Sequence, residues 1–140
     1  MGQSVLIKAV TAGDIDAWLP RLAWMFQSFE DRSGGSQRVE DHIANIKARR
    51  TQCWAVILDD TPVACALTRL EKSRIGEVVI THCAGKDHKQ WAETLLKTIQ
   101  AWGREVQSPK LTIICRPGWE KTLKEFGMVK THVVLEFDHG

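Results

Sequence analysis

CWAVILDDTPVACALTRLEKSRIGEVVITHCAGKDHKQWAETLLKTIQAWGREV, spanning Cys53–Val106, is the stretch that decides the fold. Cys53–Leu58 is an unbroken apolar run with β-branched residues, of strand length. Asp59-Asp60-Thr61-Pro62 reads as a tight turn, because Asp bonds its own backbone and Pro presets φ. Val63–Leu70 repeats the apolar pattern, Glu71–Arg74 turns again, and Ile75–Cys83 forms a third strand. Short turns cannot join parallel strands, which need a crossover of about a dozen residues, so the three form an antiparallel meander. Ala84-Gly85-Lys86-Asp87 then opens the longest helix, His88 to about Val106. Trp91, Leu95, Leu96, Ile99 and Trp102 share one of its faces, and Ser108-Pro109 ends it.

Outward from this block, the upstream chain begins with a strand over Ser4–Val10 and a turn at Thr11. Asp14 is placed to cap a helix whose apolar residues run from Ile15 through Trp18, Leu19, Leu22, Trp24-Met25 and Phe29. Pro20 inside that pattern predicts a kink or a split. Asp31-Arg32-Ser33-Gly34-Gly35-Ser36 reads as a flexible connection, and a second helix follows from Val39 to about Arg50. Downstream, Lys110–Cys115 is a strand, Gly118–Phe126 a short helix closed by Gly127, and Val129–Phe137 a last strand. The order is β-α-α-β-β-β-α-β-α-β. It predicts an α+β, three-layer (α/β/α) architecture: a mixed, mostly antiparallel sheet flanked by helices.

Composition narrows the class. The chain has 140 residues, 44% hydrophobic and 26% charged, which suits one domain over residues 1–140. No apolar window reaches membrane-spanning length, and no signal peptide is visible, so a cytoplasmic protein is expected. The formal net charge of +2 is too balanced to argue for nucleic acid. The densest basic run, Lys47-Ala48-Arg49-Arg50, closes a helix, where cations complement the dipole; a phosphate or nucleic-acid contact is the other reading. The four cysteines (Cys53, Cys65, Cys83 and Cys115) form no C-x-x-C pair and sit in apolar runs, as reduced thiols acting as small hydrophobes. The histidines are scattered without ligand spacing, so no metal is expected. Six Trp stand beside no Tyr, so no phenol can serve as an acid.

The element order, from Ser4 to Phe137, resembles the GNAT fold of the acetyl-CoA-dependent N-acetyltransferase superfamily. The tail, with Arg116-Pro117-Gly118-Trp119, Leu123, Phe126-Gly127-Met128 and Thr131-His132-Val133-Val134-Leu135-Glu136, is similar to short GNAT-like proteins of phages and prophages. That family holds the CoA pyrophosphate on the loop opening the long helix, with the pattern Gln or Arg, two residues, Gly, one residue, Gly or Ala. Small residues and helix N-terminal amides suit a phosphate there. The pattern falls on Asp87, His88, Lys89, Gln90, Trp91 and Ala92, and only Ala92 matches. His88 and Lys89 would supply positive charge. Asp87 would repel a diphosphate unless it caps the helix by bonding the Gln90 amide, in which case the segment is an ordinary helix start.

The resemblance also implies a gap between the third meander strand and the strand after the long helix, where a pantetheine arm bonds the backbone near Thr81–Cys83. Alignment on Gly127 puts Arg116 where the family often has an Asn and Leu123 where it often has a Tyr that protonates the leaving thiolate. A thiolate barely needs that acid, its thiol pKa being about 8.5. Amine acetylation needs a base, and His82, ending the central strand, is the candidate; its other reading is a side chain packed on the sheet or under the loop. Glu77 on the same strand is the second candidate. Acylation of Cys83 or Cys115 is a further route, opposed by their apolar surroundings. His132 belongs to the last strand, Trp119 anchors the short helix or lines a ligand cleft, and Trp18 and Trp24 pack on the first helix.

The reading these features support is transfer of acetyl from acetyl-CoA to a small-molecule or protein amine. The alternative is a catalytically degenerate GNAT-fold protein of a phage, structural or directed at phage or host proteins, in the virion or the host cytoplasm. A nucleic-acid-directed modifier using Lys47–Arg50 is a third reading. The resemblance further implies pairing of two copies, and no membrane partner is expected.

Overall fold

The computed structural model describes residues 4–72, 74–115, 117–131, 135 and 137. The elements are β1 (Val5–Val10), α1 (Ile15–Arg32), α2 (Val39–Lys47), β2 (Gln52–Leu58), β3 (Thr61–Glu71) and β4 (Glu77–Gly85). After them come α3 (His88–Glu105), β5 (Lys110–Ile113), a 3-10 turn (Pro117–Trp119) and α4 (Glu120–Glu125). The strands form one five-stranded sheet in the order β1-β2-β3-β4-β5. All neighbours are antiparallel except β4 and β5, which run parallel.

The meander follows from its residues. β2 is apolar at nearly every position because both of its faces are covered. Its turn into β3 is tighter than the four residues expected: Asp59 (φ 47°) and Asp60 (φ 67°) alone make it, and Leu58 faces Thr61. Left-handed φ at both central residues is the hairpin geometry that Asp tolerates. Pro62, which cannot donate to the ladder, sits where the β2–β3 register shifts.

Two apolar layers sandwich the sheet. Trp54, Val56, Leu58, Ala64, Ala66, Val78 and Ile80 face Trp91, Leu95 and Ile99 of α3 and Leu123 of α4. Cys53, Ala55, Cys65 and Leu67 point the other way, to Ile15, Leu22, Met25, Phe26 and Phe29 of α1 and Ile46 of α2. This period-2 alternation puts α1 and α2 on one face and α3 and α4 on the other. No described helix is long and apolar enough to cross a membrane.

Two expectations change, and a third lies partly outside the described residues. Helix α1 runs unsplit through Pro20, its buried face offsetting the roughly 3 kcal/mol cost of an interior proline. Asp14 occupies the N-cap position of α1 but makes no capping bond; its carboxylate pairs with Lys8 at 3.8 Å. The last strand expected over Val129–Phe137 lies partly outside the described residues. Val129–Thr131, Leu135 and Phe137, which are described, belong to none of the described strands. Gly127 takes a left-handed φ of 88° after α4. Its N–H bonds Lys124 C=O and that of Met128 bonds Leu123 C=O, the paired closure of a glycine-terminated helix.

Candidate active site

The parallel pairing of β4 with β5 covers only Glu77–Ile80 against Lys110–Ile113, and a last bond joins Ile114 N–H to Ile80 C=O at 3.1 Å. Beyond it β4 continues to Gly85, paired with β3 alone. One backbone edge of Thr81–Gly85 is thus left without a strand among the described residues. At the fork the β3–β4 register slips: Leu67 faces His82 and Thr68 faces Ile80, so Thr81 is an extra, bulged residue.

A cleft of about 480 Å³ occupies the fork. Its walls are Thr81, His82 and Cys83 of β4, Trp91, Ala92 and Leu95 of α3, Ile114 and Cys115 after β5, and Trp119 and Leu123. The end of α1 and the α1–α2 loop cover it with Phe29, Arg32, Ser33, Ser36 and Gln37. A wider groove of about 990 Å³ lies between Thr11–Gly13, Arg49 and the Thr94–Glu105 side of α3; of the sequence-predicted candidates it contains only Arg49 of the Lys47–Arg50 run.

His82 sits at the cleft wall within hydrogen-bond distance of Thr81 Oγ1 (Nδ1, 2.8 Å) and Gln37 Oε1 (Nε2, 2.7 Å). Its ring lies 5.3 Å from Phe29 and 4.7 Å from His42. Burial, then the neighbouring His42 and Arg69, push its pKa down from 6.5 to about 4. The ring is therefore neutral at pH 7 and uses one nitrogen as donor and the other as acceptor. Both readings of His82 meet here, since it packs beneath the loop and also lines the cleft.

The entry to α3 closes the cleft at its other end. Gly85 has no room for a Cβ, which would fall 2.3 Å from Ala64 Cβ and 3.0 Å from Trp91 Cζ2. Lys86 N–H bonds Val63 C=O at 3.0 Å, and the buried Trp91 indole N–H bonds Lys86 C=O at 2.6 Å. Asp87 then takes a left-handed backbone (φ 59°, ψ 41°), and its carboxylate makes no capping bond; the Gln90 amide is met by Asp87 C=O at 2.9 Å. The expected side-chain cap is thus replaced by a backbone turn, and the first amides of α3 carry no side-chain cap. His88 turns its ring onto Trp119 at 4.8 Å, while Lys89 and Gln90 are exposed on the first turn.

The fold therefore gathers Thr81, His82, Cys83, Trp91 and Ala92 in one cleft, with His88 at its rim. It does not bring Glu77 there: that carboxylate lies at the opposite end of β4, accepting from the Thr112 hydroxyl and pairing with Lys110 at 3.5 Å. Arg116 and His132 lie outside the described residues. Burial raises the Cys83 thiol to about 12 and so keeps it protonated. Cys115, expected to be buried, is exposed, because β5 ends two residues before it. Sequence reasoning missed Phe29, Arg32, Gln37 and His42. The signal available was the polar Gly-Gly connection between two helices, the usual setting of a binding loop.

No protein-family model matches the chain, and no curated protein matches it in sequence. Solved structures match it in shape. One is aminoglycoside N-acetyltransferase AAC(6')-Iy in complex with CoA, with a TM-score of 0.70 and 12% identity over 99% of this chain and 96% of that one. Another is a predicted acetyltransferase with acetyl-CoA from Clostridium acetobutylicum, with a TM-score of 0.66 and 11% identity over 96% of each chain. A third is a possible acetyltransferase from Clostridium difficile 630, with a TM-score of 0.67 and 13% identity over 96% of this chain and 97% of that one. At such identities the likeness is one of fold. The architecture is the GNAT-like one that the element order predicts.

Proposed function

We propose that this chain is an N-acetyltransferase that moves an acetyl group from acetyl-CoA to an amine. One observation carries the reading: the Thr81–Gly85 edge of β4, which no described strand covers and on which Arg32 bonds Cys83 C=O, runs directly into the uncapped first turn of α3 within a single cleft. An amide-bearing arm can add to a free strand edge through backbone bonds alone. A helix start without a side-chain cap presents N–H groups to a diphosphate. The acetyltransferase neighbours with CoA or acetyl-CoA share this architecture.

In this scheme the backbone of Thr81–Cys83 orients the thioester arm, while the amides of His88 and Lys89 and the small Ala92 receive the diphosphate. His82 takes the proton that the amine loses as the C–N bond forms; with its pKa near 4 it is a weak base, so the amine must arrive already neutral. No phenol protonates the departing sulfur, since the chain has no Tyr and Leu123 packs beside the cleft. A thiolate is a good enough leaving group without one. The scheme is that of a one-domain, cytoplasmic protein whose copies pair.

Calorimetry and thermal shift with acetyl-CoA test the proposal. Saturable heat and a raised Tm are expected, and neither signal at about millimolar ligand would sink it. His82→Ala should lower kcat far more than it changes acetyl-CoA affinity.

A second reading keeps the cleft without turnover: a phage-borne structural or host-interaction protein of the same fold. Leu123 in place of a phenol and Asp87 at the helix start favour it. Acetyl-CoA binding without acetylation of any amine, together with stable association with phage or host proteins, is its signature.

A further inference from the structure

The charges around the cleft bear on the acceptor. Arg32 is the only Lys, Arg, Asp or Glu among the described residues lining it. Its Nη1 donates to Cys83 C=O at 3.0 Å, which tethers the guanidinium across the free edge of β4. That bond uses one donor of the five in the guanidinium fork. No described carboxylate lies within ion-pair distance of it.

Nearby carboxylates have other partners. Glu30 accepts from Val39 N–H at 3.0 Å and from Gln27 at 3.2 Å, and Asp31 accepts from Gln27 at 3.0 Å. Asp41 accepts from Arg38 N–H at 2.9 Å, Glu71 pairs with Arg69, and Glu120 pairs with Lys124 and Lys130. Besides burial, His42 and Arg69 disfavour charge on His82; His42 is itself held neutral by burial, and Arg69 is paired with Glu71. Arg32 also approaches from the α1 face of the sheet, whereas the diphosphate cradle belongs to α3 on the opposite face.

We infer that the acceptor is an amine carrying an anionic group, a carboxylate or a phosphate, and that Arg32 receives that anion beside His82. This deepens the acetyltransferase reading and rests on it. The Arg32 tether at Cys83 and the His82 ring belong to adjacent strand residues, about 3.3 Å apart along β4, which suits a compact molecule with amine and anion close together. A guanidinium engages carboxylate or phosphate in a two-bond fork. The Arg32 guanidinium disfavours an ammonium beside it, and no described carboxylate lines the cleft to stabilise one, so the amine is favoured in its neutral, nucleophilic form. The amine nitrogen forms the C–N bond with the thioester carbonyl, the C–S bond breaks, the proton lost by the amine passes through His82 to solvent, and the departing thiolate takes a proton from solvent. N-acetyl product and free CoA thiol account for every atom. A polycationic acceptor would meet Arg32 with like charge and find no carboxylate lining the cleft among the described residues.

Matched amines test this. Acetylation of L-phenylalanine is compared with phenethylamine, and of O-phosphoethanolamine with ethanolamine, with kanamycin as the polycation. At least one anion-bearing member should exceed its counterpart lacking the anion by about tenfold or more in kcat/KM, and the pair that does so identifies the anion. Arg32→Gln should erase that advantage with the KM for acetyl-CoA unchanged, and Arg32→Lys should restore part of it. Equal or better use of phenethylamine, ethanolamine or kanamycin overturns the inference. So does acetyl-CoA binding with no anionic amine acetylated, or an Arg32→Gln variant that loses acetyl-CoA instead of the acceptor. Absence of any acetyl-CoA heat in the wild-type protein marks failure of the parent reading instead.

Discussion

His42 of α2 and His82 of β4 meet edge to face, with ring centroids 4.7 Å apart. Phe29 packs against both, at 5.8 Å from His42 and 5.3 Å from His82. His42 is buried and its Nε2 has no hydrogen-bond partner. Burial is the first cause lowering both pKa values, and His82 also feels His42 as a like charge. The pair is thus stable as two neutral rings, and protonating either one sets a cation against an aromatic cluster and the other imidazole.

The consequence for stability has a definite sign. The folded His82 takes its proton near pH 4, whereas the unfolded chain takes it near 6.5. Between those values the unfolded state holds more protons, so stability is complete above about pH 6.5 and falls as the pH drops toward 4. His42 acts in the same direction. Tm followed from about pH 7.5 to about pH 4.5 should therefore fall on acidification. In the double variant His42→Gln/His82→Gln that fall should be visibly shallower. A wild-type Tm that is flat or rising across this window contradicts the neutral pair.

Gly85 ends β4 just before α3, and the space for a side chain there is already taken. A Cβ would overlap Ala64, whose own Cβ would be 2.3 Å away, and press on Trp91 at 3.0 Å. Neither neighbour is the loose end of a flexible side chain. Gly85→Ala should cost about 1–3 kcal/mol in urea unfolding, in the range of overpacked cores. It should also weaken acetyl-CoA binding, because Trp91 holds Lys86 through its indole N–H. Wild-type stability in this variant would show that β3 and β4 can part without cost.

How far these features were legible in the sequence depends on what kind of interaction made them. The meander was legible because Cys53–Leu58 and Val63–Leu70 need burial on both faces, a local compositional property. The face of α3 from Trp91 to Trp102 was legible for the same reason. The open fork, in contrast, depends on where β5 stops pairing, and Ile113 and Ile114 are both ordinary strand residues. Arg32 reads as part of a flexible Gly-Gly connection and Gln37 as the residue just after it; only the packing of α1 over β4 puts them at Cys83 and His82. The Asp87 cap failed because a left-handed residue turns its carboxylate away from the amides it was expected to meet.

That same Asp87 leads to a prediction about the diphosphate. Its carboxylate stands at the positive end of α3 without bonding it, so it opposes an incoming anion while adding little of its own. Asn tolerates the left-handed conformation as well as Asp does and removes the charge. Asp87→Asn should leave Tm nearly unchanged and tighten acetyl-CoA binding by about two- to fivefold, matching roughly 0.5–1 kcal/mol of dipole-scale electrostatics. The gain should shrink in high salt. Weaker binding in the variant would mean that the carboxylate positions the ligand through a contact absent here.

Cys115 and the lack of tyrosine together shape the alkaline side of the rate profile. An enzyme that protonates its leaving thiolate loses activity as that acid ionises. Here there is no phenol in the chain, and the two thiols at the cleft titrate high: Cys83 near 12, Cys115 shifted upward by partial burial and by Glu120. On the acceptor side, raising the pH frees more neutral amine. The two effects act in the same direction, so kcat/KM should rise with pH and level off without a falling limb below about pH 9. Cys115→Ser should leave that profile and its height within about twofold of wild type, since the thiolate departs without an acid. A descending limb present in the wild type and missing in Cys115→Ser would instead make Cys115 the proton donor to the leaving sulfur.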